Sequence, residues 1–448
     1  MSTARLGELA RSLGHIGAPA WIVGGGVRDA LAGCEVADVD IALDGDAAAV
    51  ARDLSRRHGA ARFELSSSFG AWRVQGGRLP ATVDITPLQG ADIEADLRSR
   101  DFTVNAMAFP VSEGGGLFDP LGGASDVAAG RLRLVTDGAL ASDPVRLLRA
   151  ARLAAQRGLR PDDEAVHRAR AAAPLWWTAA PERLWEELRR VRRLDEPEAA
   201  FAALDELRVL DALVPELARG RGMEQNPFHH RDVLGHTIEV VERVRRLTVD
   251  PELVFRTMGP RVAARLQEPL ADDLTRGQAL VLAALLHDVA KPATREVRPD
   301  GRVTFMGHDR LGAQMAEDLC SRLRCANRIR DMVAHCVRQH LPLGFMVHRQ
   351  PLTLRQIVRY LRLTAPAEVE LVVLSVSDRL ATDGPRTKRS AIDRHLDLAR
   401  QVLRVQFDLE DRGPPPRLVA GDELARELGR EPGPWLAELL ADLDEEQL

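Results

Sequence analysis

A chain of 448 residues is more than one core organises, and at ~100 to 200 residues per module about three modules are expected. Hydrophobic residues supply 45% of it but aromatics only 4%, with Tyr360 the single tyrosine, so the core must be mainly Leu, Val and Ala, which favours helices. A formal charge of −5 argues against blanket attraction to nucleic acid, so any RNA contact must be local. Lys291 and Lys388 are the only lysines; arginine suits phosphate and base edges, but a biased genome composition explains the same excess. Cys34, Cys320, Cys325 and Cys336 make no C-x-x-C pair and read as reduced, mostly buried thiols. No signal-like stretch opens the chain and no apolar run reaches the ~18 residues of a membrane span, so a cytoplasmic location and no membrane partner are expected.

In chain order, Trp21–Val23, Val39–Leu43, Ala71–Val74 and Thr82–Thr86 are strand candidates separated by helical stretches, a mixed α/β head ending near Gly138. Trp21-Ile22-Val23 runs into Gly24, Gly25 and Gly26, which let backbone N–H groups approach a triphosphate at the start of a helix near Val27. Asp38 and Asp40 are one residue apart on a strand, so both side chains face one way while Val39 and Ile41 face the other. Two carboxylates so close repel unless a cation neutralises them, and hard oxygen ligands suit magnesium. Asp84, opposite in facing to Val83 and Ile85, is a candidate third carboxylate, against the alternative of an exposed strand aspartate. In Arg100-Asp101-Phe102-Thr103-Val104-Asn105, the spacing places Asp101 and Asn105 on one helical face, able to bond sugar hydroxyls; an N-terminal cap is the plainer role for Asp101.

Beyond Ser142 nearly every segment has helical period and strand signals vanish, with joins around Pro215–Pro227, Arg298–Gly307 and Gly413–Pro416. Ser142 reads as the N-cap of a helix with Pro144 in its first turn and Leu147, Leu148 and Ala151 buried. Asp143 and Arg146, three apart, present an acceptor and a donor pair on one face, as reading a base edge requires; a surface ion pair is the plainer reading. Arg149 and Arg152 continue along that side towards triphosphate or RNA backbone. His236 precedes, and Asp378 follows, the pair His287 and Asp288 that ends the apolar run Ala279–Leu286. Charges at the ends of apolar helices need partners, and a lone histidine there is usually only hydrogen-bonded core.

These motifs together carry a resemblance. GGGVRD, DVDIAL, RDFTVNAMAF and FDPLGG resemble the class II tRNA nucleotidyltransferase and bacterial poly(A) polymerase family, and Glu182-Arg183-Leu184-Trp185-Glu186 resembles a supporting motif of it. The resemblance implies that Asp38 and Asp40 hold catalytic Mg2+, that Gly24, Gly25 and Arg28 contact the triphosphate, that Arg100, Asp101 and Asn105 serve the ribose, and that Asp143 and Arg146 bond the incoming base. The family's E-D-x-x-R motif has Ser142 here in place of its glutamate. Residues 226–383 resemble the HD phosphohydrolase fold, implying a second divalent-metal site at His236, His287, Asp288 and Asp378, completed by His308 with His335 or His340. The tail from Leu418 resembles that of HD-bearing members.

The expected fold class is α+β, with a polymerase β-like nucleotidyltransferase head (1–138), an all-α neck with the base-reading helix (139–220), an HD-type body (221–405) and a helical tail (406–448). The expected activity is template-independent addition of C, and in the fuller form also A, to the tRNA 3′ end from CTP and ATP, with tRNA and the two nucleotides as partners and no DNA. Complete CCA-adding relatives generally carry a longer flexible loop where this chain has only Ile85–Arg100, so CC-only addition is a serious alternative. Poly(A) polymerase activity, a metal-dependent phosphohydrolase acting on RNA ends or nucleotides, and a non-catalytic tRNA binder are the rivals.

Overall fold

The computed structural model describes residues 3–14, 16–67, 69–112, 115–413, 420–436 and 439–440. Tertiary contacts divide it into two compact units, Met1–Ala180 with Ala203–Val209, and Pro181–Ala202 with Leu210–Leu448. The α+β class holds, with strands concentrated in the first unit. No described helix is long and apolar enough to cross a membrane.

In the first unit, β1 (Ala20–Val23), β2 (Asp38–Leu43), β3 (Ala61–Ser66), β4 (Ala71–Gln75), β5 (Thr82–Pro87) and β6 (Ala108–Pro110) form one sheet in the order β3-β4-β5-β2-β1-β6. Only the β2–β5 pair is parallel, because the chain leaves β2 through helix α3 (Ala47–His58) and the β3–β4 hairpin before returning. Val39, Ile41, Val83 and Ile85 enter one core with Ile22, Leu43 and Leu54. Period-two alternation therefore sends Asp38, Asp40 and Asp84 to the opposite face. Helix α1 (Ala4–Leu13) buries Leu6, Ala10 and Leu13, while α2 (Gly25–Leu31) begins two residues before the expected Val27.

The four expected strands are present, and β3 and β6 are additional. Alternation of Ala61, Phe63 and Leu65 was a usable signal for β3, but as the edge strand it leaves Phe63 and Leu65 exposed. Helix α4 (Ile93–Arg98) is capped by Asp92, whose carboxylate accepts from Ala95 N–H. The helix expected to read the base, α5, runs Val145–Arg157 and buries Leu147, Leu148 and Ala151 as expected. Its N-cap is Pro144, not Ser142: Ser142 closes the preceding turn Ala139–Ser142, its hydroxyl donating to Ala139 O. Gly158, at φ 62°, ends α5 in a left-handed conformation that L side chains resist.

The second unit is helical. Thr275 and Gln278 form a reciprocal capping box that starts α7 (Arg276–Leu286). This helix is apolar on all sides and buried, packing against α6 (Val233–Val249), α9 (Asn327–Gln339) and α10 (Glu368–Leu380). Helix α8 (His308–Arg322) packs on α9, and α11 (Arg389–Arg412) on α10. Strands do not vanish after Ser142: Pro269–Ala271 pairs with Leu274–Thr275, Glu296–Val297 with Val303–Thr304, and Arg160–Pro161 with Arg131–Leu132. Each is only two or three residues long, too short for alternation to register. The expected join at 414–416, and Leu418 and Val419 of the tail motif, lie outside the described residues.

Candidate functional site

The sheet register puts Asp38 opposite Thr82 and Asp40 opposite Asp84 on adjacent parallel strands. Gly24 turns with φ 71° between β1 and α2, and a Cβ there would sit 3.0 Å from both Asp40 Oδ2 and Arg100 NH1. Glycine is thus required twice, by conformation and by the close approach of the carboxylate. The protein packed around Asp40 pushes its carboxyl above the usual range; Arg100 opposes this, Asp84 and Asp38 add to it, and Arg73 opposes. Such a carboxylate gains most from an added cation.

Arg73, on β4 opposite Asp84, grips both of its oxygens at 2.7 Å. Arg100 donates Nε and NH2 to Asp96 Oδ2 at 3.0 and 2.9 Å, and Asp96 is buried, its other oxygen accepting from Gln89 N–H. Neither Arg73 nor Asp96 was singled out in the sequence, since only the β4–β5 register and the fold of α4 bring them there.

Asp101 and Asn105 do meet, Asn105 Nδ2 donating to Asp101 Oδ1 at 3.0 Å, but through a 3-10 turn at Thr103–Asn105 and not along an α-helix. Both are buried. Asp101 Oδ2 accepts from Arg149 NH1 at 2.9 Å, and Asn105 Oδ1 from Arg28 NH1 at 2.6 Å. Arg28 is turned inward, its Nε donating to Asp29, while its NH2 lies 3.4 Å from where a Gly25 side chain would begin. Arg149 therefore faces Asp101, and Arg152 donates to Gln156 on its own helix. Asp143 and Arg146 are neighbours, Oδ2 to Nε 3.8 Å, with Arg146 anchored on the carbonyls of Ser99 at 2.9 Å and Ala139 at 3.1 Å.

In the second unit, His236, His287 and Asp378 form one potential cation-holding group and Asp288, His308 and His340 another, the ligand atoms of each lying within 4.8 Å of one another. Nδ1 of His287, His308 and His340 faces the carbonyls of Ala284, Phe305 and Val337 at 2.8, 2.6 and 2.6 Å. A carbonyl can only accept, so Nδ1 carries the proton in all three; in the neutral ring of His308 or His340 Nε2 offers a lone pair inward, whereas on His287 burial opposes charge but Asp288 outweighs it, raises the imidazole above its ordinary value and receives Nε2–H. His308 Nε2 and His340 Nε2 stand 3.2 Å apart, and burial pushes His340 down to about 4, keeping it neutral near pH 7. With both rings neutral, two lone pairs would face each other, an arrangement that a divalent cation resolves.

Asp288 lies 3.0 Å from His287, 2.6 Å from Lys291 and 3.3 Å from His308, and Asp378 Oδ1 is 2.9 Å from His236 Nε2. Burial opposes charge on Asp288, but His287 and Lys291 outweigh it and hold the carboxyl well below the ordinary range. His335 is not part of the cluster; its Nε2 lies 3.0 Å from the carbonyl of Thr364, leaving the place to His340. His229, which sequence reading passed over, packs edge-on against His236 at 4.8 Å between ring centres, and burial pushes it down to about 3. The cluster borders a cavity of about 770 Å³ whose wall includes Arg379 and Arg394. Neither of these arginines makes a hydrogen bond or ion pair among the described residues.

Comparison with known proteins finds a domain model over each of the two regions. The poly A polymerase head domain model matches residues 20–89 and 71–133, the model for the probable RNA and SrmB-binding site of polymerase A matches 158–220, and the HD domain model matches 233–383. Domains of the head and HD kinds generally depend on divalent metal ions. An A-adding tRNA nucleotidyltransferase of Deinococcus radiodurans is 34% identical over 95% of this chain and 90% of its own length. A CC-adding tRNA nucleotidyltransferase of Thermus thermophilus is 33% identical over 96% and 89%. Among solved structures, a CCA-adding enzyme with CTP matches at TM-score 0.64 and 19% identity, covering 100% of this chain and 92% of that one. The Thermotoga maritima CCA-adding enzyme complexed with tRNA matches at TM-score 0.61 and 20% identity, covering 99% and 90%. At these identities the two structures bear on fold, whereas the two relatives, matched along nearly their whole length, bear on kinship: the chain belongs to the tRNA nucleotidyltransferase family and is a nucleotidyltransferase.

Proposed function

We propose that the head adds nucleotides to the 3′ end of tRNA without a nucleic acid template, taking CTP, and ATP where the A is added, and releasing pyrophosphate. The observation that carries this is the row Asp38, Asp40 and Asp84 on adjacent strands, with the Gly24 turn against Asp40. Asp38 and Asp40 are the residues to hold Mg2+, which when bound lowers the pKa of the tRNA terminal hydroxyl and offsets charge developing at the α-phosphate. Asp84, held in the Arg73 fork, adds its negative field beside Asp40. The Gly24–Gly25 turn leaves room for phosphates, Arg146 and Asp143 present donors and an acceptor to the base, and the helical body grips the acceptor arm by shape and phosphate contacts. A tRNA substrate puts this work in the cytoplasm.

A narrower reading, CC-only addition, is favoured by the link from β5 to Arg100. It is short and pinned, with Asp92 capping α4 and Asp96 tying Gln89 to Arg100. The test supplies CTP and ATP separately to tRNAs ending before the first C, after one C and after both. Arrest after two C residues supports CC-only addition; A added to the CC end refutes it, and no incorporation on any tRNA refutes the transfer reading.

The second-unit cluster supports a metal-dependent phosphohydrolase activity on RNA ends or nucleotides. Inward lone pairs beside a cavity walled by Arg379 and Arg394 suit a cation and a phosphate group together. Hydrolysis of phosphate esters should survive substitution of Asp38 and Asp40 by Ala and disappear in His287→Ala.

A further inference from the structure

Behind the head site, polar side chains join into one chain of contacts that begins and ends on α5. Arg157 NH2 donates to Asp29 Oδ2 at 2.7 Å, and Asp29 Oδ1 accepts from Arg28 Nε at 2.8 Å. Arg28 NH1 donates to Asn105 Oδ1 at 2.6 Å, Asn105 Nδ2 to Asp101 Oδ1 at 3.0 Å, and Arg149 NH1 to Asp101 Oδ2 at 2.9 Å. Each carboxylate is met by a guanidinium, and the amide between them shows its oxygen to the cation and its nitrogen to the anion, so every link has one polarity only. Arg28, Asp101 and Asn105 are buried, and Arg157 and Asp29 keep only 23% and 14% of their side-chain surface exposed.

The two ends lie eight residues apart on α5, about 12 Å along its axis at ~1.5 Å per residue. One attachment leaves a helix free to roll about its axis; two, a little over two turns apart, do not. Asp143 and Arg146 stand at the head of this helix, while the other ends of the two attachments carry the turn at Gly24 and the buried Asp101–Asn105 pair.

We infer that Arg157, acting through Asp29, is a positioning residue that fixes the roll of α5 relative to the phosphate turn, and so sets which base Asp143 and Arg146 accept. The inference rests on the nucleotidyl-transfer reading of the head. Arg157 is remote in sequence from every recognised motif of the head, its partner Asp29 lying 128 positions away.

The test compares wild type, Arg157→Ala, Arg157→Lys, Asp29→Asn and the Arg157→Ala/Asp29→Asn double variant on tRNA lacking its terminal residues, with CTP and with UTP. Thermal midpoints are followed throughout, and Arg168→Ala, which removes two surface ion pairs from another helix, is the control. Arg157→Ala should lower the preference for CTP over UTP about tenfold, chiefly by raising KM for CTP, and Arg157→Lys should restore most of it. The double variant should do no worse than the worse single one, since both break one link. A preference unchanged within twofold in Arg157→Ala, an equal loss with both nucleotides, or fully additive effects would overturn the inference while leaving nucleotidyl transfer standing. Should Arg157→Ala fail to fold, an unchanged preference in Asp29→Asn decides against it equally. Wild-type protein that incorporates no nucleotide removes the reading beneath it as well.

Discussion

Asp40 and Asp84 stand opposite one another on the parallel pair β2 and β5, and Arg73 occupies both oxygens of Asp84 while Asp40 receives no such fork. The two acids are therefore not equivalent. Asp40→Ala should abolish incorporation, by about 1,000-fold or more, because it removes a ligand for the cation. Asp84→Asn leaves Arg73 without its carboxylate beside the cation site. It should raise the Mg2+ concentration needed for half-maximal rate about tenfold while leaving measurable turnover. A magnesium titration of incorporation rate separates the two; equal defects would mean that Asp84 is a direct ligand.

Gly24→Ala tests the close approach of turn and carboxylate. The new methyl would lie 3.0 Å from Asp40 Oδ2 and from Arg100 NH1 at a backbone φ of 71°. Nucleotide incorporation should drop about 100-fold with a modest loss of stability, ~1 kcal/mol, from the left-handed conformation. Activity near wild type would show that the turn takes no part in holding the nucleotide.

Acid stability of the head should depend on Asp101. Burial pushes its carboxyl up, but Arg149, Asn105 and the Phe102 N–H together outweigh this and leave it below the ordinary 3.8. A folded value below the unfolded one adds stability that is fully present above the unfolded value and lost as pH falls through the folded one. Asp101→Asn should therefore lower the free energy of unfolding at pH 7 by an amount on the order of 1–3 kcal/mol, and flatten its decline below about pH 4. Urea melts across that range read the effect; an unaltered acid slope would contradict it.

Metal content distinguishes the second-unit cluster from the head. Protein purified with Mn2+ should carry bound metal that resists desalting, and His287→Ala or His308→Ala should lose most of it by elemental analysis. Incorporation of CTP in the same variants should fall less than twofold. Full metal retention in both would mean that the inward lone pairs are satisfied in another way.

Legibility in the sequence followed the range over which each feature is encoded. The facing of Asp38 and Asp40 is a matter of neighbours in one strand, and α5 and α7 declare themselves within a few helical turns. His287 and Asp288 could be found because they terminate an uninterrupted apolar run. Arg73 was out of reach because its value lies in pairing with Asp84 across a strand boundary, and Asp29 because its partner Arg157 belongs to another helix. Spacing gave the right partners in Asp101 and Asn105 for the wrong conformation, since a 3-10 turn also brings them together. Ser142 looked like a cap by residue type, but caps depend on where the backbone leaves helical angles, and that point is Asp143, extended at φ −147° and ψ 92°.

The parallel pairing of β2 with β5 also has a consequence in time. A ribosome must release more than forty further residues after Asp40 emerges before Asp84 can exist, and the intervening helix and hairpin must close before the two strands can align. The acidic row is thus among the last features of its sheet to assemble. A mutation anywhere in that intervening stretch can leave a half-made chain exposing β2 as an unpaired edge, a hazard for aggregation that ends once β2 is paired on both sides.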